Sequence, residues 1–196
     1  MGVFDIILAP MGLNTMTIIQ KIAQFLGGLS EWSGKVVAWL ALLLVLTEFS
    51  IVILRYFFNT GWIGMQEAVL YMHAILFLVG AAYTLKHDGH VRVDIFYRIL
   101  SPRGRALVNL AGVVLLLVPV CGFIFYASWD YIWVAWERWE TSTEPGGLPF
   151  VYLLKTFILL FAAMVILQGL AWVMGILAVL GGAGPVNDFK PSRYCG

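Results

Sequence analysis

The sequence predicts an all-α integral membrane protein: four transmembrane helices and an N-terminal amphipathic interfacial helix, with both termini in the cytoplasm. Three observations predict this. Apolar residues make up 61% of the 196 residues and charged ones only 12%, against about 45–50% and about 25% in a soluble domain. The mean hydropathy is +0.90. The charges also fall in blocks between long apolar runs, so the net charge of +1 hides a strong asymmetry. A single membrane domain over residues 1–196 is expected at this length.

The chain begins with no basic segment, and Asp5 interrupts its first apolar stretch, so no cleaved signal peptide is expected. It also lacks the pattern of a lipidation site at either end. Residues 14–32 read as the amphipathic arm. Ile18, Ile22, Phe25 and Leu29 recur at helical spacing, and Gln20, Lys21, Gln24 and Glu31 fill the opposite side. Such a helix lies in a membrane surface or against a partner. Gly27 and Gly28 weaken its second half.

A helix needs about 20 mostly apolar residues to cross the hydrocarbon core. Residues 36–58, 63–85, 102–129 and 151–180 qualify. Helices are required because open strands leave backbone groups unpaired in lipid. Ser101 and Pro102 suit the N-cap and first position of the third helix. Pro119 is expected to kink it. The run Gly146, Gly147, Leu148, Pro149 is a turn that launches the fourth.

Orientation follows from Lys and Arg. The loop 86–101 and the start of the third span carry Lys86, Arg92, Arg98, Arg103 and Arg105, five of the chain's twelve. With Lys21, Lys35, Lys190 and Arg193, nine lie on one side; Arg55, Arg138 and Lys155 lie on the other. The positive-inside rule puts both termini and the basic loop in the cytoplasm. Residues 59–62 and the Trp-rich, acidic segment 130–149 then face outward. Membrane lipids are expected partners: Ile95, Phe96, Ile99 and Leu100 dip into the interface while Lys86, Arg98, Arg103 and Arg105 meet anionic headgroups.

Several polar residues stand out. Glu48 and Arg55 share a face of the first span. They are either part of an ion or proton path or a polar contact between helices, with Arg55 snorkelling outward. Gln66 and His73 share a face of the second span, and Glu67 a neighbouring one. His73 could be drawn as a haem ligand in a four-helix redox anchor, but such a site needs a second His on a facing helix. A hydrogen-bonding interfacial His is the plainer reading. His87, Asp88, His90 and Asp94 resemble a metal cluster, yet a polar loop without a second ligand-bearing element reads as structure.

Tyr126, Trp129, Trp133 and Trp136 fall on one helical face, and Asp130, Glu137, Thr141 and Glu144 on another, so the third helix continues beyond the membrane. The aromatic stripe fits an interfacial belt or a docking surface. Gln168, Ala171, Gly175, Ala178 and Gly182 form a small-residue packing stripe. Cys121 and Cys195 are not expected to pair, and the chain has no phosphate-binding glycine loop, nucleophile elbow or zinc motif. No enzyme activity, cofactor, metal or nucleic-acid partner is expected.

The order and spacing of the segment from Leu54 to Asn59, then Glu67, then Gly89, His90, Val91, Arg92, Val93 and Asp94 resemble the small membrane subunit of tripartite ATP-independent periplasmic transporters, the DctQ-like family. Trp62 lies earlier than the family's Trp, and Gln66 stands where a second Glu is common. The resemblance implies a three-part system. A periplasmic substrate-binding protein delivers an organic acid, and a large multi-helix permease subunit carries the substrate and sodium sites. The small subunit braces that permease. Glu48, Arg55, Gln66 and Glu67 would contact it or hold helices together, and Trp129, Trp133, Trp136, Glu137 and Glu144 become a candidate seat for the binding protein.

Overall fold

The structure is a computed structural model that describes residues 13–90 and 97–180. Arg92, Asp94, Ile95, Phe96, Gly182, Lys190, Arg193 and Cys195 lie outside the described residues, as do the side chains of Arg98, Arg103 and Ala178 and those of the arm up to residue 24 apart from Lys21. The described residues are helical, with no strand among them. Helix α1 is Leu13–Phe57 and α2 is Ile63–Lys86. A short 3-10 turn, Tyr97–Ile99, precedes the third span. That span consists of α3, Pro102–Gly112, a π turn at Val113–Leu117, and α4, Val118–Glu137. Helix α5 is Val151–Leu180. Among the described residues four helical stretches are long and apolar enough to cross a membrane.

The expected arm and first span are not separate helices. They form one helix of 45 residues, about 68 Å long at ~1.5 Å per residue, more than twice the ~30 Å hydrocarbon thickness. Gly27 and Gly28 do not break it, because the packing of its inner half outweighs their low helix propensity. Ser30, Ser33 and Val37 are buried there. Gly34 permits the approach to α2, since a Cβ at this position would lie 2.8 Å from the Tyr83 Cβ.

The third span also differs from a simple kinked helix. Pro119 has no N–H and its ring crowds the carbonyl four residues back. The chain answers by widening one turn beforehand: the Val118 N–H reaches back to the Val113 carbonyl, the five-residue spacing of a π turn. Ser101 caps the N-terminus as its type suggests, accepting from the Gly104 N–H at 3.2 Å with Pro102 just inside.

Helix α5 is the centre of the bundle. In its most apolar stretch 39% of the residues are buried, against 6–11% in those of the other three spans, and it touches α1, α2, α4 and the π turn. The core is Val37, Val79, Ala82, Leu85, Cys121, Ala162, Met164 and Val165. Small and medium side chains suit helix packing in lipid, where close backbone approach supplies the contacts. Ala171 and Gly175 of the small-residue stripe are buried within it.

Candidate partner interface

The polar side chains sort into three sets. The first joins helices at the inner end. The Ser30 hydroxyl donates to Gln168 Oε1 at 2.6 Å, and both residues are buried. Gln168 thus closes α5 onto α1. Glu31 receives Lys86 at 3.1 Å and His87 at 2.9 Å, and Lys35 approaches it at 3.4 Å. Lys86, expected among the headgroups, is therefore turned inward, with its side chain 17% exposed. Helix α2 ends here on a left-handed Asp88, φ 54°, and the Gly89 N–H returns to the Thr84 carbonyl at 2.9 Å. His90 is exposed. Arg105 donates from Nε to the Leu100 carbonyl at 3.1 Å and lies over the Tyr97 ring.

The second set closes the outer end of α4 and α5. Helix α4 ends on Trp139 in the left-handed region, φ 47°, a rare conformation for a bulky residue. Its ring and that of Trp136 pack edge-on against Tyr152, and the Trp136 indole donates to the Thr156 hydroxyl at 2.9 Å. Lys155 pairs with Glu140 at 2.5 Å and lies 3.9 Å from the Tyr131 ring centre. Glu67, on the first turns of α2, reaches the same region. It accepts from the Ser142 hydroxyl and, at 2.5 Å, from the Leu148 N–H. Trp129 and Trp133 are exposed, and Trp133 donates to Glu137 one turn on at 2.9 Å. The three tryptophans thus have different roles: Trp136 is a tie to α5, while Trp129 and Trp133 face outward. Glu144 is exposed at the loop tip.

The third set has no partner among the described residues. Glu48 and Arg55 are exposed and do not pair with each other. Ser30, Val37, Leu44 and Ile51 recur every seven residues along α1, and Glu48 and Arg55 lie on the same side of the helix. Ser30, Val37 and Ile51 are buried on that side, so the two charges flank a seam the chain covers elsewhere. On α2 the exposed stripe is Ile63, Gln66, Leu70, His73 and Phe77, at the three- and four-residue steps of one helix face. His73 touches only the Phe77 ring in this stripe, at 4.7 Å. Glu48 lies nine residues before the end of α1 and His73 ten after the start of α2, so at ~1.5 Å per residue both are about 15 Å below the outer turn.

This geometry shapes the chemistry available. Among the described residues no three His, Cys, Asp or Glu side chains gather to hold a metal ion. His87 and His90 follow α2 itself, so the described histidines place no second imidazole on a helix facing His73. What the surface offers is a membrane-depth face of apolar side chains interrupted by Glu48, Arg55, Gln66 and His73. Sequence reasoning missed Ser30, Glu31 and Glu140 as structural groups. Their signal was the rarity of polar residues beside apolar runs, but their partners are distant in sequence.

A family model described as "Tripartite ATP-independent periplasmic transporters, DctQ component" matches residues 43–179. The chain is also 30% identical over 137 residues to the C4-dicarboxylate TRAP transporter small permease protein DctQ of Vibrio cholerae serotype O1. That match covers 67% of this chain and 57% of the relative, so it spans little more than half of the relative's length. No solved structure matches.

Proposed function

Because the chain belongs to the DctQ component family of tripartite ATP-independent periplasmic transporters, we propose that it is the small scaffold subunit of a binding-protein-dependent secondary transporter. Its partners are a large multi-helix permease subunit, which carries the substrate, and a periplasmic substrate-binding protein, which delivers it. The complex sits in the inner membrane of a bacterial or archaeal cell, with both termini of this chain in the cytoplasm. It imports an organic acid with sodium coupling. The name of the Vibrio cholerae relative makes a C4-dicarboxylate the first substrate to test.

The observation that carries this reading is the uncovered polar face. A charged side chain at the centre of a membrane helix costs roughly 2.5–3.5 kcal/mol on insertion scales, and such residues usually face protein or water. Glu48 and Arg55 are exposed and have no hydrogen-bond or charge partner among the described residues, and Gln66 and His73 interrupt the apolar stripe of α2. A polytopic partner laid on α1 and α2 removes them from lipid and offers them hydrogen bonds. The buried Gln168 already has a partner inside the chain, since its Oε1 accepts from the Ser30 hydroxyl. It is a brace within this subunit.

Co-purification from native membranes tests the reading. The expected outcome is a stoichiometric complex with one larger polytopic protein. In proteoliposomes, uptake should require that protein, the binding protein and a sodium gradient. Flux through this chain alone, or its recovery from native membranes with no larger polytopic protein attached, overturns the scaffold role.

A further inference from the structure

Glu67 is placed differently from the other polar residues of the first two spans. Its carboxylate points away from the exposed stripe of α2 and into the loop between α4 and α5. One oxygen accepts from the Ser142 hydroxyl and the other from the Leu148 N–H, contacts that reach 75 and 81 residues along the chain. Those two residues are also bonded to each other, because the Ser142 N–H donates to the Leu148 carbonyl at 3.2 Å. Residues 142–148 therefore form a closed loop, and the carboxylate bridges both strands of its neck.

The rest of the loop is built around this bridge. The Glu144 N–H donates back to the Ser142 hydroxyl oxygen at 3.1 Å, and the Gly147 N–H donates to the Glu144 carbonyl at 3.0 Å. Gly146 takes φ 83°, which glycine adopts without steric cost. Gly147 has no room for a side chain, since a Cβ there would stand 2.7 Å from Glu67 Oε1 and 2.6 Å from the Ser142 Cβ. One turn before Glu67, a Cβ at Gly64 would lie 3.1 Å from the Gly146 carbonyl oxygen. Gly64 and Glu67 thus form a seat on α2 that matches the loop in shape and in hydrogen bonding. The exposed tip, residues 143–146 with Glu144, is held outward by it.

We infer that Glu67 is the positioning residue of this outer loop: it acts within the chain, through its two hydrogen bonds, to fix the loop on α2. Its negative charge is not what the loop requires. An amide of the same shape supplies an oxygen for the Leu148 N–H and an N–H for the Ser142 hydroxyl oxygen. Glu67 is accordingly neither an ion-path carboxylate nor a contact to a second subunit. This holds whether or not the chain braces a permease, so its first readout is made on the chain itself.

Hydrogen exchange on the full chain in its native complex, with Glu67→Ala and Glu67→Gln, is the test. Glu67→Ala should speed exchange across residues 142–148 by roughly tenfold or more, the scale of leaving its two donors without their acceptor. Glu67→Gln should restore protection, and uptake by the reconstituted transporter should follow protection in both variants. Ser142→Ala, which removes one of the two bonds, should give an intermediate effect and serves if Glu67→Ala does not fold. Unchanged loop exchange in Glu67→Ala overturns the inference. So does a Glu67→Gln variant whose uptake is lost, or whose loop stays unprotected, because either result makes the charge the functional element.

Discussion

The α1–α2 and α4–α5 connections of this molecule are built in opposite ways. Residues 58–62 join α1 to α2 by a short turn, and the spans leading into it carry Glu48, Arg55, Gln66 and His73 without partners among the described residues. Residues 138–150 join α4 to α5, and there Glu140 is answered by Lys155 and both Ser142 and Leu148 by Glu67, with Trp136 tied to Thr156 across the flanking helices. Unanswered polar groups at membrane depth are costly, and on the proposed reading the first hairpin is the surface that the large subunit completes. Answered ones fix local geometry, so the second is a finished structure.

The largest expected effect on assembly sits on the unfinished side. Glu48→Ala and Arg55→Ala should each lower recovery of the large subunit in pull-downs by about tenfold, the loss of one well-placed polar contact. The isolated chain should keep its stability within about 0.5 kcal/mol, as for other substitutions that remove no internal contact. Thermal unfolding in nanodiscs measures the second quantity. The contrast between the two hairpins collapses if these variants unfold the chain and leave assembly intact.

The finished side should behave in reverse. Glu140→Gln leaves the Lys155 ammonium, whose side chain is 13% exposed, with only the Tyr131 ring and a weaker amide acceptor. A loss of about 2 kcal/mol in chain stability is expected, below the 3–5 kcal/mol of a fully buried pair because Glu140 is partly solvated. Recovery of the large subunit should be unchanged once the folded fraction is matched. Equal loss of assembly in Glu140→Gln and Glu48→Ala would erase the distinction.

The same contrast explains what the sequence could reveal. The spans were legible because run length and hydropathy are local: α2 and α5 begin at the expected residues, 63 and 151. The continuity of α1 through Gly27 and Gly28 was not, since it depends on Ser30, Ser33 and Val37 packing against other helices. The π turn was hidden for a related reason: Pro119 announces a distortion, but where it is absorbed depends on neighbouring packing. Glu67 stands out in the sequence as a charge at the start of a span, yet its partners lie 75 and 81 residues away. Periodicity gave the tryptophans one face and could not tell which of them meets α5.

That last point yields the smallest predicted effect. Trp136 donates to the Thr156 hydroxyl and packs against Tyr152, whereas Trp133 donates only to Glu137 on its own helix. Trp136→Phe keeps a ring against Tyr152 but leaves the Thr156 oxygen without its indole donor. Thr156 still donates to the Tyr152 carbonyl at 2.9 Å, so no buried donor is stranded and the cost should be about 1 kcal/mol, one neutral hydrogen bond. Trp133→Phe removes an exposed intrahelical bond and should cost no more than about 0.5 kcal/mol. Unfolding of the two variants side by side tests the ranking. A larger loss at Trp133 would mean that the outer tryptophans act together as an interfacial belt, and that α4 is held to α5 chiefly by Lys155 and Glu140.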